Sequence, residues 1–143
     1  MPGTPAVSGR LRLMLIDDHD GARAALVRRF AEHARVEIVA TAANLTAALA
    51  LAHDRLPHAA LIDTPRDDRQ ALQIVAALAD IVADRRPLVA VYLSFFDAEH
   101  WLRAQTAGAR EWVLKGFDLE ATTRRLGDAV KRELPEDRWP GAG

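Results

Sequence analysis

The stretch Ala59-Ala60-Leu61-Ile62-Asp63 decides the fold: four apolar residues in a row, closed by a carboxylate. A short run without polar alternation reads as a strand covered on both faces, the habit of a parallel sheet. Three further segments share this form. Leu11-Arg12-Leu13-Met14-Leu15-Ile16 ends in Asp17-Asp18, Leu88-Val89-Ala90-Val91-Tyr92-Leu93 ends in Ser94, and Trp112-Val113-Leu114 ends in Lys115. In an open parallel sheet, ligands gather beyond the carboxyl ends of the strands. Three carboxylates, a hydroxyl and an amine are therefore expected along one edge.

The intervening segments read as helices. Asp20 is placed to cap a first helix that runs to about Ala34 and buries Ala22, Ala25, Leu26, Phe30 and His33. Val36 to Ala42 reads as another strand. Asn44 is placed to cap a second helix through Arg55, with Leu45, Leu49, Ala52 and Leu56 inward, and Pro57 stops it. A third helix is predicted from about Gln70 to Asp84, with Leu72, Val75, Leu78 and Val82 at helical spacing. A fourth, about Ala98 to Ala107, ends at Gly108. Asp118 caps a last helix with Leu119, Leu126, Val130 and Leu134 inward, and Pro135 ends it. Strand and helix alternate five times, which implies right-handed βαβ units: an α/β fold with a five-stranded parallel sheet and helices on both faces. Residues 11–134 form the domain. Residues 1–10 are expected to be a disordered arm and 135–143 a flexible tail.

A length of 143 residues, half of them hydrophobic, suits one domain with one core. The formal charge of -1 supplies no global field toward nucleic acid or an anionic membrane. The basic cluster Arg124-Arg125 and Lys131-Arg132 reads as a solvated helix face, which argues against direct nucleic-acid binding. No run approaches the roughly 18 apolar residues of a membrane span. The beginning, Met1-Pro2-Gly3-Thr4-Pro5, has no signal-peptide pattern. Cysteine is absent, which excludes thiol chemistry and agrees with an expected cytoplasmic location. Only Lys115 and Lys131 are lysines, so a chain that nearly always uses Arg places a compact ammonium at a strand end.

Mg²⁺ favours one or two carboxylates, with water and phosphate oxygens completing its shell. Asp17, Asp18 and Asp63 would make a half-built site of that kind. A carboxylate not consumed by the metal could attack phosphorus. Lys115 would offset charge on the transferring group, and Ser94 could donate a hydrogen bond to it. His19 reads as a loop residue, since Mg²⁺ prefers oxygen.

These residues carry a resemblance. Leu15-Ile16-Asp17-Asp18-His19, Leu61-Ile62-Asp63, Leu93-Ser94 and the run from Ala107 through Gly108, Ala109 and Trp112 to Lys115 resemble, in order and spacing, the CheY-like receiver domain of two-component response regulators. The similarity is greatest to the NarL/LuxR-type subgroup and covers about Leu11 to Leu134. The resemblance implies a flavodoxin-like (βα)5 fold with Asp63 as phosphoacceptor. Asp17 and Asp18 would hold Mg²⁺, Asp18 foremost, with Asp63 and the Pro65 backbone carbonyl completing the protein ligands. Ser94 would move toward the phosphoryl group, Lys115 would pair with it, and Trp112 would follow as the switching aromatic. The implied donor is a phosphohistidine on a histidine kinase or phosphotransfer protein. The implied output is a downstream protein bound through the fourth helix, fifth strand and fifth helix, with a homodimer among the assemblies allowed. Such a domain is not an enzyme beyond its own phosphorylation and slow autodephosphorylation.

The chain also departs from that pattern. The family usually places Pro and then Gly after the acceptor loop, whereas here Pro65 is displaced toward Asp63 and Arg66-Asp67-Asp68-Arg69-Gln70-Ala71 follows. Gly116 follows Lys115 where many relatives have Pro. The altered loop keeps open a second reading, a degenerate receiver that binds partners without phosphorylation. A third reading is a phosphohydrolase of the haloacid-dehalogenase type, since Asp18-His19-Asp20 mimics its D-x-D motif. That enzyme needs an acidic pair beyond its lysine, and only Asp118 and Glu120 stand there.

Overall fold

The computed structural model describes residues 9–65 and 68–142. Five strands, β1 (Leu11–Ile16), β2 (Val36–Ala42), β3 (Ala59–Asp63), β4 (Leu88–Leu93) and β5 (Glu111–Leu114), pair in the order β2-β1-β3-β4-β5. All four pairings are parallel. Ile16 pairs with Ile62 and Asp63 with Tyr92. The ends of β1 and β3 therefore lie side by side at the centre of the sheet, where the strand order reverses, and this is the ligand edge of such a sheet.

Residues alternate across the strands, so each strand feeds two cores. Met14, Ile16, Ile62 and Val91 face one layer with Val75 and Leu78. Leu13, Leu15, Leu61 and Val113 face the other with Phe30, Leu126 and Val130. The helices are α1 (Asp20–Ala31), α2 (Leu45–Arg55), α3 (Arg69–Ala79), α4 (Ala98–Ala107) and α5 (Leu119–Glu133). The predicted α/β architecture is the one observed.

Several helix details differ from expectation. His19, not Asp20, caps α1: its Nδ1 accepts the Ala22 amide at 3.0 Å. Asp20 is the first helical residue and instead pairs with Arg23 at 2.7 Å. Helix α1 ends at Ala31, short of Ala34, and Ala22 is exposed. In α2 the cap on Asn44 is observed, but Ala48 and Ala52 are the buried residues while Leu45 and Leu56 are exposed. Small alanines let α2 approach the sheet, and Leu56 ends the helix in the left-handed region at φ 47°. Helix α3 starts one residue early, under an Asp68 cap, and stops at Ala79 rather than Asp84. Val82 is consequently 62% exposed. The stop coincides with a close approach: a Cβ on Gly108, at φ +126°, would lie 2.3 Å from the Ala79 Cβ.

Of the arm expected over residues 1–10, only Gly9 and Arg10 are described; the remainder lies outside the described residues. The segment expected as a loose tail contains a 3-10 turn, Glu136–Arg138. Arg138 donates to the carbonyls of Asp84, Arg86 and Pro57, and Trp139 packs against the core while donating to the Leu134 carbonyl. A guanidinium fork satisfied by three carbonyls fixes this segment to the sheet pole opposite Asp63.

Candidate functional site

The site forms because parallel strands end at one edge, and β1, β3, β4 and β5 each end in, or are followed at once by, a polar residue there. Lys115, just after β5, brings its Nζ within 2.9 Å of the Asp63 Oδ1 at the end of β3. Asp17, just after β1, is 4% exposed, while Asp18 beside it is exposed. The Asp17 carboxylate accepts the His19 amide at 2.8 Å. Burial raises the Asp17 pKa above the usual carboxylate value; the His19 hydrogen bond opposes this, and the negative charge of Asp63 adds to it. A buried carboxylate beside two like charges is a site that a cation would relieve.

Asp63 separates two cavities. One, of about 230 Å³, is lined by Asp17, Asp18, Asp63, Asn44, Asp68 and Gln70, among others. The second, of about 260 Å³, is lined by Asp63, Thr64, Pro65, Ser94, His100 and Lys115, among others. The expected constellation is thus divided: Asp17 and Asp18 line the cavity on one side of Asp63, Ser94 and Lys115 line the cavity on the other, and Lys115 alone of these two is seen to contact the Asp63 carboxylate.

The donor set fits Mg²⁺ in kind, being hard oxygen anions with room beside them. Among the described residues, no three Asp, Glu or His side chains converge into a group able to hold a metal unaided. Asp17, Asp18 and Asp63, expected as a half-built site, line one cavity, and Asp63 also pairs with Lys115. Mg²⁺ does not need such a cage, because it keeps several waters and uses one or two carboxylates. The Pro65 carbonyl, expected as a further ligand, accepts the Asp68 amide at 3.0 Å, and Pro65 lines the Ser94 cavity rather than the acidic one. Of the unusual loop, Arg66 and Asp67 lie outside the described residues.

Trp112, the expected switch, is half-buried and held on several sides. Phe96 stacks 4.8 Å away, the Arg125 guanidinium lies 4.2 Å over its ring, and Arg125 Nε donates to its carbonyl at 2.8 Å. Arg125 and Arg132 also pair with the buried Glu111 at 3.1 and 3.5 Å, so part of the basic cluster is structural. Phe95, Phe96 and Leu102 are exposed nearby.

Two residues of the site were not singled out from the sequence. Asp68, which caps α3, enters the acidic cavity. His100, on α4, is buried and bonds Thr64, the residue after the acceptor. A cap within an irregular loop carries a faint signal, and a helical His carries none. The second acidic pair required of a hydrolase is not available: Asp118 caps α5 through the Ala121 amide, and Glu120 pairs with His33 at 3.2 Å.

Comparison with known proteins agrees with this geometry. No family model matches the chain. The signal receiver domain of the response regulator NarL from Mycobacterium tuberculosis superposes with a TM-score of 0.72 at 24% identity, covering 85% of this chain and 97% of that one. This chain has the CheY-like receiver fold. Among curated proteins sharing that resemblance, the transcriptional activator DevR/DosR of Mycobacterium tuberculosis is 26% identical over 135 residues, 92% of this chain. The response regulator VraR of Staphylococcus aureus is 23% identical over 122 residues, 85% of this chain. The receiver fold of this chain spans only 60% and 56% of the length of these two relatives. Among the described residues, no helix is long and apolar enough to cross a membrane.

Proposed function

We propose that this domain is the phosphoacceptor of a two-component signalling system, with Asp63 the acceptor. The observation that carries the reading is the 2.9 Å approach of Lys115 Nζ to Asp63 Oδ1, beside the acidic pair Asp17 and Asp18. An Asp63 carboxylate oxygen attacks the phosphorus of a phosphohistidine. A P–O bond forms, the P–N bond breaks, and its electron pair returns to the donor imidazole, which takes up a proton. Asp17 and Asp18 would hold Mg²⁺, which supplies charge neutralisation for the approaching phosphoryl oxygens. Lys115 exchanges its carboxylate partner for a phosphoryl oxygen, and Ser94 donates a hydrogen bond from the same cavity.

The product carries up to about two negative charges on the phosphoryl group in place of the single carboxylate charge of Asp63, a net gain of about one. Ser94 and Lys115 follow that charge, and the population of two states of the α4-β5-α5 face shifts. A histidine kinase or phosphotransfer protein is the donor, and a downstream protein reads that face, in the cytoplasm. The exposed Phe95, Phe96 and Leu102 support a partner surface there. Incubation with Mg²⁺ and acetyl phosphate, followed by intact mass measurement, tests the reading. One phosphoryl adduct is expected, absent in Asp63→Asn and after chelation. An unmodified wild-type protein overturns it.

A further inference from the structure

His100, the third residue of α4, is 4% exposed. Its Nε2 lies 2.9 Å from the Thr64 carbonyl and 3.2 Å from the Thr64 hydroxyl. A carbonyl can only accept, so Nε2 carries the proton and donates. In the neutral ring this leaves a lone pair on Nδ1, which is buried and has no hydrogen-bond partner among the described residues. Thr64 is itself buried and immediately follows Asp63. His100 also lines the cavity that holds Asp63, Ser94 and Lys115. This bond is therefore a direct polar link between α4 and the backbone that aims the acceptor.

We propose that His100 is a positioning residue for phosphorylation of Asp63, and that its bond to the Thr64 carbonyl couples the acceptor to the placement of α4. The inference rests on the phosphoacceptor reading. Two features give it physical content. The peptide following Asp63 has limited support otherwise: the Thr64 amide reaches the Tyr92 carbonyl only at 3.4 Å. Removing the imidazole would leave the Thr64 carbonyl buried and without its donor, so the carboxylate would lose its fixed aim. Nδ1 has no partner among the described residues, so only one of the two ring nitrogens is bonded there in this placement of α4. A displacement that gives Nδ1 a partner offsets part of the cost of leaving it. Phosphorylation, by drawing Ser94 toward the phosphoryl group and transferring Lys115 from the carboxylate to it, acts on the same cavity wall and biases that displacement.

The test compares His100→Leu, which removes the donor at similar volume, with His100→Gln, whose amide can still donate near the Nε2 position. Thermal melts establish that each is folded. Phosphorylation by acetyl phosphate with Mg²⁺ is followed by intact mass, and amide exchange of α4 is recorded before and after. His100→Leu is expected to be phosphorylated about tenfold more slowly, the order expected for losing one hydrogen bond. His100→Gln is expected to stay within about threefold of wild type on the same scale. Phosphorylation changes α4 exchange in wild type and His100→Gln but not in His100→Leu. A folded His100→Leu reacting at the wild-type rate overturns the inference alone, as does a His100→Gln slowed as much as His100→Leu. A wild-type protein that takes no phosphoryl group overturns the phosphoacceptor reading, and this inference falls with it.

Discussion

Lys115 Nζ sits 2.9 Å from Asp63 Oδ1, joining the ends of two strands that do not pair with each other. The lysine side chain is 38% exposed and the aspartate 15%, so the pair is only partly shielded from water. Its worth to folding is small, about 1 kcal/mol or less. On the proposed phosphoacceptor reading its worth to chemistry is larger, because the ammonium would stand where phosphoryl charge arrives. Lys115→Met is expected to slow phosphorylation by about 10- to 100-fold, measured by mass in a single turnover. Its urea midpoint is expected to move little.

Metal binding is expected to stabilise the native state by mass action. At a hundredfold excess of Mg²⁺ over its Kd the gain is about 2.7 kcal/mol. That corresponds to a rise in Tm of about 5–10 °C for a domain of this size. Asp18→Asn and Asp17→Asn are each expected to abolish most of that rise in a thermal melt.

Without metal, Asp17→Asn is expected to melt higher than wild type at pH 7. Burial and neighbouring carboxylates raise the Asp17 pKa in the folded chain. The folded state therefore holds this proton more tightly than the unfolded state does. That contribution is complete below the ordinary value and is lost as pH rises through the folded one. The gap between variant and wild type should close as pH falls toward the ordinary carboxylate range.

His58 titrates in the opposite sense. Burial first, then the charges of Arg12 and Arg138, lower its pKa to about 4. Its Nδ1 accepts the Arg12 amide at 2.9 Å and so must stay unprotonated. Stability from this group is complete above the ordinary value near 6.5 and declines as pH falls toward 4. The loss is about 1–2 kcal/mol after discounting for partial exposure. His58→Asn, which retains an acceptor, should show a flatter urea midpoint between pH 7 and pH 4.5.

Gly108→Ala is expected to destabilise by about 2–4 kcal/mol, read by urea denaturation. The new Cβ would meet that of Ala79 at 2.3 Å on a backbone at φ +126°. Ala79→Gly in the same chain relieves the contact but not the backbone conformation, so rescue is expected to be partial.

Four strands were legible as mostly apolar runs with a polar residue at the end or just beyond, and β3 spans Ala59–Asp63 as read. Asn44, Gly108 and Asp118 were legible as helix boundaries because caps obey local chemistry. The end of α3 was not, since Val82 keeps helical spacing while Gly108 packs against Ala79 across the fold. Asp17, Asp63 and Lys115 could be expected together from strand ends alone. The role of His100 depends on a contact 36 positions away in sequence, which no local pattern encodes.

The Arg125 guanidinium lies over the Trp112 ring, bonds its carbonyl and pairs with Glu111. An indole so clasped cannot swing inward and keep its cation. Were Trp112 to move as the receiver resemblance implies, the ease of that movement would be set from α5, by a latch remote from Asp63. Evolution could tune the sensitivity of such a domain by exchanging one arginine, leaving its chemistry untouched.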